Sequence, residues 1–442
     1  MANSYLSRTI GTPTNAKKGT ISLWVKRGNL TDGRLVNSWG GSSVQFFTLL
    51  QSNATIFIGD YDDPYNFELK TNRVFRDTSA WYHFVFSFDT TQGTASDRVK
   101  FYVNGIQETS FSTETYPSQN LDLNFGNSGD SFRIGVRDAE EYFDGSMSHV
   151  HFIDGTAYAP TSFGQSDSNG VWIPKPSPSV TYGTNGFFLK MDNSGNMGLD
   201  SSGNSNNFTT SGTITQAKDT PSNVFATLNP LDVFNTSGRT LSNGNNTYTT
   251  SSGNNSEVAG TLAASSGKYY FETKIVSQSG SAGSSAKYGV IGVKKINKGT
   301  LAAGEAATIY SDGRKNNGYD SVSNATPGYT LNDIVQVALD LDNNQIFFGL
   351  NGNWGDNAGN FNQTFANATA LYTSLSTVGE WTPYLNKNVT NDNTLTLSAN
   401  FGNGYFGTTA VTSAGANASG NGIFEYDVPT GYTALSTKGL NS

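Results

Sequence analysis

Short alternations of apolar and polar residues recur along the chain and predict β-strands. In the stretch TISLWVK, Ile21, Leu23 and Val25 share one face, because successive strand residues point to opposite sides. The stretch WYHFVFSFD at 81–89 repeats this pattern, and RVKFYVNG at 98–105 ends in an Asn-Gly pair that favours a tight hairpin turn. One-sided alternation joined by hairpins is typical of antiparallel sheets packed face to face. We therefore predict an all-β protein with two antiparallel β-sandwiches in tandem.

The composition agrees with this fold class and excludes others. Aromatic residues reach 12%, whereas disordered chains have few, and stretches rich in helix-forming residues are missing. The formal net charge of −8 argues against nucleic-acid binding, which favours a basic face. Two small basic clusters, AKKG at 16–19 and KKINK at 294–298, are therefore expected to be solvated surface.

The chain has no cysteine, so it has no disulfide, no thiolate nucleophile and no cysteine-ligated zinc. The N-terminal stretch MANSYLSRTIGTPTNAKKG has no apolar run of signal-peptide length, and no segment approaches the roughly 20 apolar residues of a membrane span. We expect folding in the cytosol and no membrane insertion.

The order of motifs in the N-terminal part resembles the laminin-G-like, or concanavalin A-like, jelly-roll family. The matching motifs are Trp24 in its strand, WYHFVFSFD, FYVNG and the later FDGSMSHVHFIDGTAY. Members of this family bind glycans or proteins, and some branches hydrolyse polysaccharides. The phrase Asp-Ser-Ser-Gly-Asn, found near the start of many such domains, occurs late in this chain. We predict that residues 187–215 supply returning strands that complete the first sandwich.

A second ordered series of motifs resembles the SPRY family of protein-interaction modules. It comprises GKYYFETKI (267–275), YGVIGV (288–293), DIVQVALDLDNNQIFFGLNGNW (333–354), WTPYLNK (381–387) and LTLSANFG (395–402). The resemblance implies recognition through variable loops. The candidate loops, at 277–287, 311–330 and 355–369, can equally be solvated connections.

These two resemblances divide the chain. Residues 1–218 are predicted to form the laminin-G-like sandwich, with a proline-rich connector at 171–186 and the returning strands after it. Residues 219–442 are predicted to form the SPRY-like sandwich with a C-terminal tail.

Candidate chemistry is sparse. Glu140, Glu141 and Asp144 lie in a segment that looks like a solvated loop, and the sequence offers no strand with the paired carboxylates of a glycosidase. His149 and His151 share a strand face, but no third metal ligand is evident. We therefore expect no enzymatic activity and no cofactor.

A doubled phrase, DNSGN at 192–196 and DSSGN at 200–204, has two readings. Oxygens of Asp192, Asn196, Asp200 and Asn204 suit Ca²⁺, although the spacing differs from that of an EF-hand and no closing glutamate follows. Asp, Asn and Gly also form turns through local hydrogen bonds and positive φ. Turn formation is the favoured interpretation, and calcium binding is the alternative.

Both domains together, the connector DTPSNVFATLNPL and the tail FEYDVPTGYTALSTKGLNS resemble virion proteins of marine tailed phages. The resemblance implies a structural protein on the surface of head or tail, assembled in the host cytoplasm. It implies an adhesive role toward host-surface glycans, contacts with other virion proteins and a homo-oligomer. A purely architectural role is the alternative, and a polysaccharide depolymerase is the least favoured.

Overall fold

A computed structural model describes residues 3–168, 170–232, 234–251, 256–279, 289–296, 301–318, 321–322, 325–356, 358–387 and 394–441. The chain divides into two compact units, 1–216 and 217–442, whereas the sequence motifs placed the boundary after residue 218. Within the described ranges, no helix has the length and apolar character that a membrane-spanning segment requires.

The first unit is a sandwich of an eight-stranded and a six-stranded antiparallel sheet. Its strands are β1 (Tyr5–Thr9), β2 (Lys18–Arg27), β3 (Gly33–Gly41), β4 (Val44–Leu50), β5 (Ile56–Tyr61), β6 (Tyr65–Thr71), β7 (Tyr82–Asp89), β8 (Val99–Val103), β9 (Ile106–Glu108), β10 (Phe111–Thr115), β11 (Ser131–Ile134), β12 (Gly145–Asp154), β13 (Gly164–Ser166), β14 (Trp172–Pro174), β15 (Phe187–Leu189) and β16 (Thr209–Ser211). The larger sheet has the order β10-β6-β5-β4-β3-β11-β1-β16, and the smaller one β15-β12-β2-β7-β8-β9. Strands β13 and β14 pair with each other. Single 3₁₀ turns lie at Ala95–Asp97, Asn124–Gly126 and Pro160–Ser162.

The predicted inner faces form the core between these two sheets. Ile21, Leu23 and Val25 are buried, as are Phe84 and Phe86 of the adjacent strand β7. Paired aromatic rings from neighbouring strands extend the apolar surface that each sheet removes from water. The all-β sandwich predicted from alternation is confirmed.

The outer face of the six-stranded sheet is also buried, which alternation does not predict. Trp24 and Lys26 are 2% and 5% exposed, although they point away from the core. The segment 155–182, which includes most of the proline-rich connector, lies over this face and contributes Phe163 and Tyr182 to a small apolar cluster. The connector is therefore part of the first unit's packing.

Residues 187–215 supply one strand to each sheet of the first unit. Strand β15 pairs with β12, and strand β16 pairs with β1. This is the pairing that the hypothesis of returning strands requires.

The second unit also combines two main, mostly antiparallel sheets, of nine and six strands. Its strands are β17 (Arg239–Ser242), β18 (Thr247–Thr250), β19 (Ser256–Ala259), β20 (Lys268–Gln278), β21 (Gly289–Lys295), β22 (Ala306–Tyr310), β23 (Lys315–Asn316), β24 (Ser321–Val322), β25 (Ile334–Asp340), β26 (Gln345–Leu350), β27 (Asn353–Gly355), β28 (Phe361–Gln363), β29 (Trp381–Lys387), β30 (Leu395–Asn400), β31 (Tyr405–Phe406), β32 (Thr409–Ala410) and β33 (Thr433–Ala434). The six-stranded sheet has the order β19-β29-β21-β22-β23-β24. A 3₁₀ turn lies at Phe365–Asn367, and one short helix, α1 (Thr437–Leu440), lies near the C-terminus.

The C-terminal segment is packed against the nine-stranded sheet. Strand β33 pairs in parallel with β20. Glu272 of β20 accepts hydrogen bonds from the backbone N–H groups of Glu425 and Tyr426, both at 2.9 Å. Burial raises the pKa of Glu272 to about 7. The tail is thus an integral part of the second unit.

Candidate functional site

The outer face of the eight-stranded sheet combines aromatic, charged and amide side chains. Strand register places Asn37 opposite Phe47 and Trp39 opposite Gln45 on adjacent strands. Their neighbours along each strand, such as Phe46, point into the core. This face is the candidate site, because aromatic rings and hydrogen-bonding groups meet there outside the apolar core.

Four rings, of Phe47, Phe57, Tyr61 and Tyr65, form an aromatic cluster on this face. Phe47 and Phe57 pack edge to face with ring centroids 4.8 Å apart, and Tyr61 and Tyr65 are also 4.8 Å apart. Tyr65 is 39% exposed, whereas Phe57 is 8% exposed. The two phenylalanines thus form a buried base, and the tyrosines present ring surface to solvent.

A glycine on β5 allows this arrangement. Gly59 lies opposite Phe47 in the register, and a Cβ atom at Gly59 would be only 2.6 Å from the Phe47 ring. Without a side chain at this position, the ring lies across the neighbouring strand and closes the base of the aromatic cluster.

A buried cation borders the cluster. The Arg34 guanidinium lies 3.9 Å from the centroid of Phe47 and forms an ion pair with Glu141. Burial lowers the pKa of Arg34, and the negative charge of Glu141 opposes that change. The pair fixes residue 141 over the sheet.

The segment 137–143 is here called the ion-pair loop. Further ion pairs hold the rest of this loop. Arg133 pairs with Asp138 at 2.8 Å, and Arg137 with Glu140 at 3.6 Å. The two guanidinium groups lie 5.5 Å and 5.7 Å from the ring of Trp39, within cation–π range. The loop is therefore tied to the sheet by charges and by stacking on one tryptophan.

The carboxylates singled out in the sequence are engaged. The expected solvated position applies to Glu140, whose side chain is 70% exposed, but it is wrong for Glu141, at 23%. It is also wrong for Asp144, which accepts a hydrogen bond of 2.6 Å from Asn29 and has its pKa raised by burial. The partner of Glu140, Arg137, is local, whereas Arg34, the partner of Glu141, comes from a distant strand that the local sequence does not reveal.

Several buried polar atoms of this face have no hydrogen-bond partner among the described residues. They are Nδ2 and Oδ1 of Asn37, Oε1 of Gln45, Nη1 of Arg34 and Nε of Arg137. Asn37 is 0% exposed and Gln45 is 5% exposed. Because an unsatisfied buried polar atom is costly and rare, a group of them on one face marks a place where water or a ligand completes the bonding.

The three histidines of the chain lie on the opposite sheet. His83 and His151 are buried on the outer face of the six-stranded sheet, under the segment 155–182, and His149 is half-buried. The Tyr182 hydroxyl lies 3.0 Å from Nδ1 of His151. Mutual repulsion adds to burial in lowering the pKa of His151. His149 and His151 both pack against Phe188, although a register shift between Ser148 and His151 interrupts the regular alternation from which a shared face was expected. Local sequence offered no reason to group His83 with them.

The hydrogen bonds of His83 fix its tautomer. Nε1 of Trp172 is 2.9 Å from Nδ1 of His83, and an indole N–H only donates. Nδ1 is therefore the acceptor, and Nε2 carries the proton and donates to Oγ of Ser22 at 2.9 Å. Burial lowers the pKa of His83 to about 3, and the ring is a neutral link between the sheet and its covering segment.

The doubled phrase forms a set of turns. Asp200 accepts hydrogen bonds from the backbone N–H groups of Phe188, Ser202 and Asn206, each at 2.8 Å. The Asn204 amide donates to the carbonyl oxygens of residues 183 and 186, and Asp192 is exposed. The Asn196 backbone N–H closes a turn onto Asn193.

Metal binding has no further support in the described ranges, where no group of three or more His, Cys, Asp or Glu side chains has the arrangement to hold an ion. Calcium at Asp192, Asn196, Asp200 and Asn204 stays a prediction.

The expectation for the second basic cluster is wrong at two residues. Lys294 is 1% exposed and Lys295 is 6% exposed. Lys294 pairs with buried carboxylates, and Lys295 lies 5.1 Å from the ring of Trp381. Lys298 lies outside the described residues. In the first cluster, Lys17 forms a surface ion pair of 2.6 Å with Asp122.

The candidate recognition loops of the second unit are only partly described. Most of 277–287 lies outside the described residues, as do 319–320, 323–324 and 357. Loop recognition in the second unit therefore stays a prediction.

Similar solved structures are distant. The SPRY domain of human HERC1 is 16% identical, with 36% of this chain and 91% of that chain covered and a TM-score of 0.28. Domain 4 of the Geobacillus stearothermophilus arabinanase AbnA, in complex with arabinotriose, is 21% identical, with 32% and 63% covered and a TM-score of 0.26. A heptameric pentraxin from Limulus polyphemus is 16% identical, with 35% and 71% covered and a TM-score of 0.27. At such TM-scores these likenesses carry no argument about function, and the SPRY-like character of residues 219–442 stays a prediction.

The family comparison concerns the first unit. No curated protein matches the chain. Residues 2–161 match the concanavalin A-like lectin/glucanases superfamily, Laminin_G_3. The laminin-G-like resemblance noted in the sequence is thus supported for residues 2–161, which are similar to that superfamily.

Proposed function

We propose that the first unit binds glycans through the outer face of its eight-stranded sheet. We further propose that the protein serves as an adhesive component on a tailed-phage virion surface. The observation that carries glycan binding is the presence, on one face, of half-exposed tyrosine rings and buried amides without partners. Sugar rings have apolar C–H faces that stack on aromatic rings and hydroxyl groups that bond to amides and charged groups.

The charges of this face favour an uncharged glycan. Arg34, Arg133 and Arg137 each have a carboxylate partner, and Lys70 lies 4.0 Å from Glu68. An anionic sugar would have to displace these carboxylates from the cations, whereas a neutral hydroxyl can bond to an ion pair without breaking it. A neutral polysaccharide is therefore the proposed ligand class.

The virion placement rests on the sequence resemblance and on the composition. A chain that is 14% charged, has no cysteine and contains 49 glycines suits a β-rich particle component. Contacts with other virion proteins and homo-oligomer formation are part of the same proposal. The proposed role includes no chemical step, since the carboxylates of the ion-pair loop are engaged with cations and amides.

The test is binding of the purified full chain to a broad panel of neutral and acidic glycans. We expect binding to neutral members, weakened about fivefold or more when Tyr65 is replaced by alanine, because a central aromatic contact contributes more than about 1 kcal/mol. Ile106→Ala is the matched control, since Ile106 is 72% exposed but lies on the six-stranded sheet.

Three other outcomes would redirect the proposal. No binding across the panel would favour the purely architectural role. Binding restricted to acidic glycans would refute the argument from paired charges. Release of reducing ends from a bound polysaccharide would favour a depolymerase, and Glu140, Glu141 and Asp144 would then be the first residues to replace.

A further inference from the structure

The second unit contains a lysine enclosed by two carboxylates and two aromatic rings. The side chains of Lys294, Asp232 and Glu257 are 2%, 7% and 5% exposed. Nζ of Lys294 lies 3.1 Å from Oε1 of Glu257 and 3.9 Å from Oδ2 of Asp232. Its charge also faces the rings of Tyr384 at 4.9 Å and Phe234 at 5.6 Å. Three ionisable groups are thus held together almost entirely out of water.

Both carboxylates are fixed by neighbouring groups. Oδ2 of Asp232 accepts the Ala259 backbone N–H at 2.9 Å, and Oε2 of Glu257 accepts the Tyr384 hydroxyl at 2.6 Å. Arg239 donates to the backbone carbonyls of Asp232 and Glu257, at 2.9 Å and 2.7 Å. The segment that contains Asp232 is therefore fastened to strand β19, with its carboxyl group directed at the lysine of β21.

We propose that Lys294 and Asp232 form an intramolecular amide cross-link, with Glu257 as the proton carrier. Oε1 of Glu257 lies 3.1 Å from Nζ, within hydrogen-bond distance of the ammonium group of Lys294, and is the base that removes its proton. The neutral amine, held within reach of the carboxyl group, is then positioned to attack its carbon.

The reaction balances without any other reactant. The lone pair of Nζ forms a bond to Cγ of Asp232, while Oδ2, held by the Ala259 N–H, becomes the amide oxygen. The bond from Cγ to Oδ1 breaks, and Oδ1 leaves as water with two protons that Glu257 carries from Nζ, one before and one after the attack. One ammonium and one carboxylate become one amide and one water, and nothing is oxidised or reduced.

Such a bond has a clear consequence in this chain. With no cysteine, the protein cannot form a disulfide. An amide between Asp232 and Lys294 would join two segments far apart in sequence and so restrict the unfolded chain, as a disulfide does. It would also remove two charges whose burial is otherwise costly.

Mass spectrometry of the full chain tests the proposal. The expected intact mass is one water, about 18 Da, below the mass calculated from the sequence. Trypsin should release a branched peptide in which Lys294 is joined to Asp232. Lys294→Met and Glu257→Gln should both restore the sequence mass. Lys295→Met is the matched control, since this neighbouring buried lysine lies against Trp381, and it should keep the loss of water.

Three results would overturn the proposal. The first is an intact mass equal to the sequence mass, with Lys294 recovered in unbranched peptides. The second is a branched peptide that joins Lys294 to Glu257, which would exchange the roles of the two carboxylates. A loss of water that persists in Lys294→Met would assign it to aspartate cyclisation and refute the cross-link equally.

Discussion

Acid should destabilise the first unit through His83, whose neutral ring cannot accept a proton without losing its present bonds. Its Nδ1 already accepts the Trp172 N–H, and the ring stacks on Trp24 with centroids 4.7 Å apart. Protonation would set two N–H groups against each other inside a buried face. Burial of the ring, with a smaller contribution from nearby His149, lowers the pKa of His83 from 6.5 to about 3.

The direction and size of the effect follow from linkage. Below pH 6.5 the unfolded chain binds a proton at His83 that the folded chain does not, so this stability is complete above that pH and is lost as the pH falls toward about 3. Each pH unit in this window costs about 1.4 kcal/mol, so acidification to about pH 4.5 removes about 3 kcal/mol. His151, whose pKa is lowered for the same reason, acts in the same direction.

The assay is urea unfolding of the full chain at about pH 7 and about pH 4.5. Unfolding is monitored by hydrogen exchange and mass spectrometry of peptides from residues 1–216. Exchange measured peptide by peptide reports on each unit separately, because the two units need not unfold at the same urea concentration. We expect His83→Gln to lower the free energy of unfolding near neutral pH. Between the two pH values, this variant should lose about 3 kcal/mol less stability than the wild type.

The control for this assay is Ser22→Ala, which removes the acceptor of the Nε2 proton but keeps the titrating ring. It should lower stability at both pH values and keep the full dependence on pH. An equal loss of stability on acidification in wild type and His83→Gln would refute the assignment to His83.

Three further predictions concern other parts of the chain. Gly59→Ala should lower the Tm of the first unit, at a cost of about 1–3 kcal/mol, because its Cβ would meet the Phe47 ring at 2.6 Å; an unchanged calorimetric Tm would contradict the described packing. Asp200→Ala should destabilise the first unit by about 2–4 kcal/mol through lost hydrogen bonds, whereas chelation by EDTA should leave its Tm unchanged; a fall in Tm with EDTA would instead assign calcium to the doubled phrase. Glu272, whose pKa rises from 4.5 to about 7, should make the second unit less stable as the pH increases through that window, and Glu272→Gln should flatten this dependence in the peptide-resolved unfolding assay.

The core residues of the fold could be predicted from sequence, because residues two positions apart on a strand point to the same side of the sheet. Ile21, Leu23 and Val25 alternate with Ser22, Trp24 and Lys26, and the first three are buried between the sheets. The burial of Trp24 could not be predicted in this way, since the segment that covers it comes more than a hundred residues later. Local periodicity reports which residues share a face and cannot report what lies over that face.

The candidate site was largely hidden from sequence for a related reason. Asn37 and Gln45 look like ordinary polar residues on the outer side of strands, and nothing in the local sequence indicates that both are buried. Lys294 shows the same limit, because a cluster of lysines in sequence resembles a solvated patch until its carboxylate partners are placed. Pairings between distant charges have no signature in local composition.

Hydrogen exchange of the first unit, with and without a bound neutral glycan, tests glycan binding by the outer sheet face most directly. We predict that the glycan slows exchange in peptides from strands β3 to β6 and from the ion-pair loop, and leaves peptides from the six-stranded sheet unchanged. Slowed exchange confined to the six-stranded sheet or to residues 217–442, with no change in β3 to β6, would contradict the assignment of glycan binding to this face.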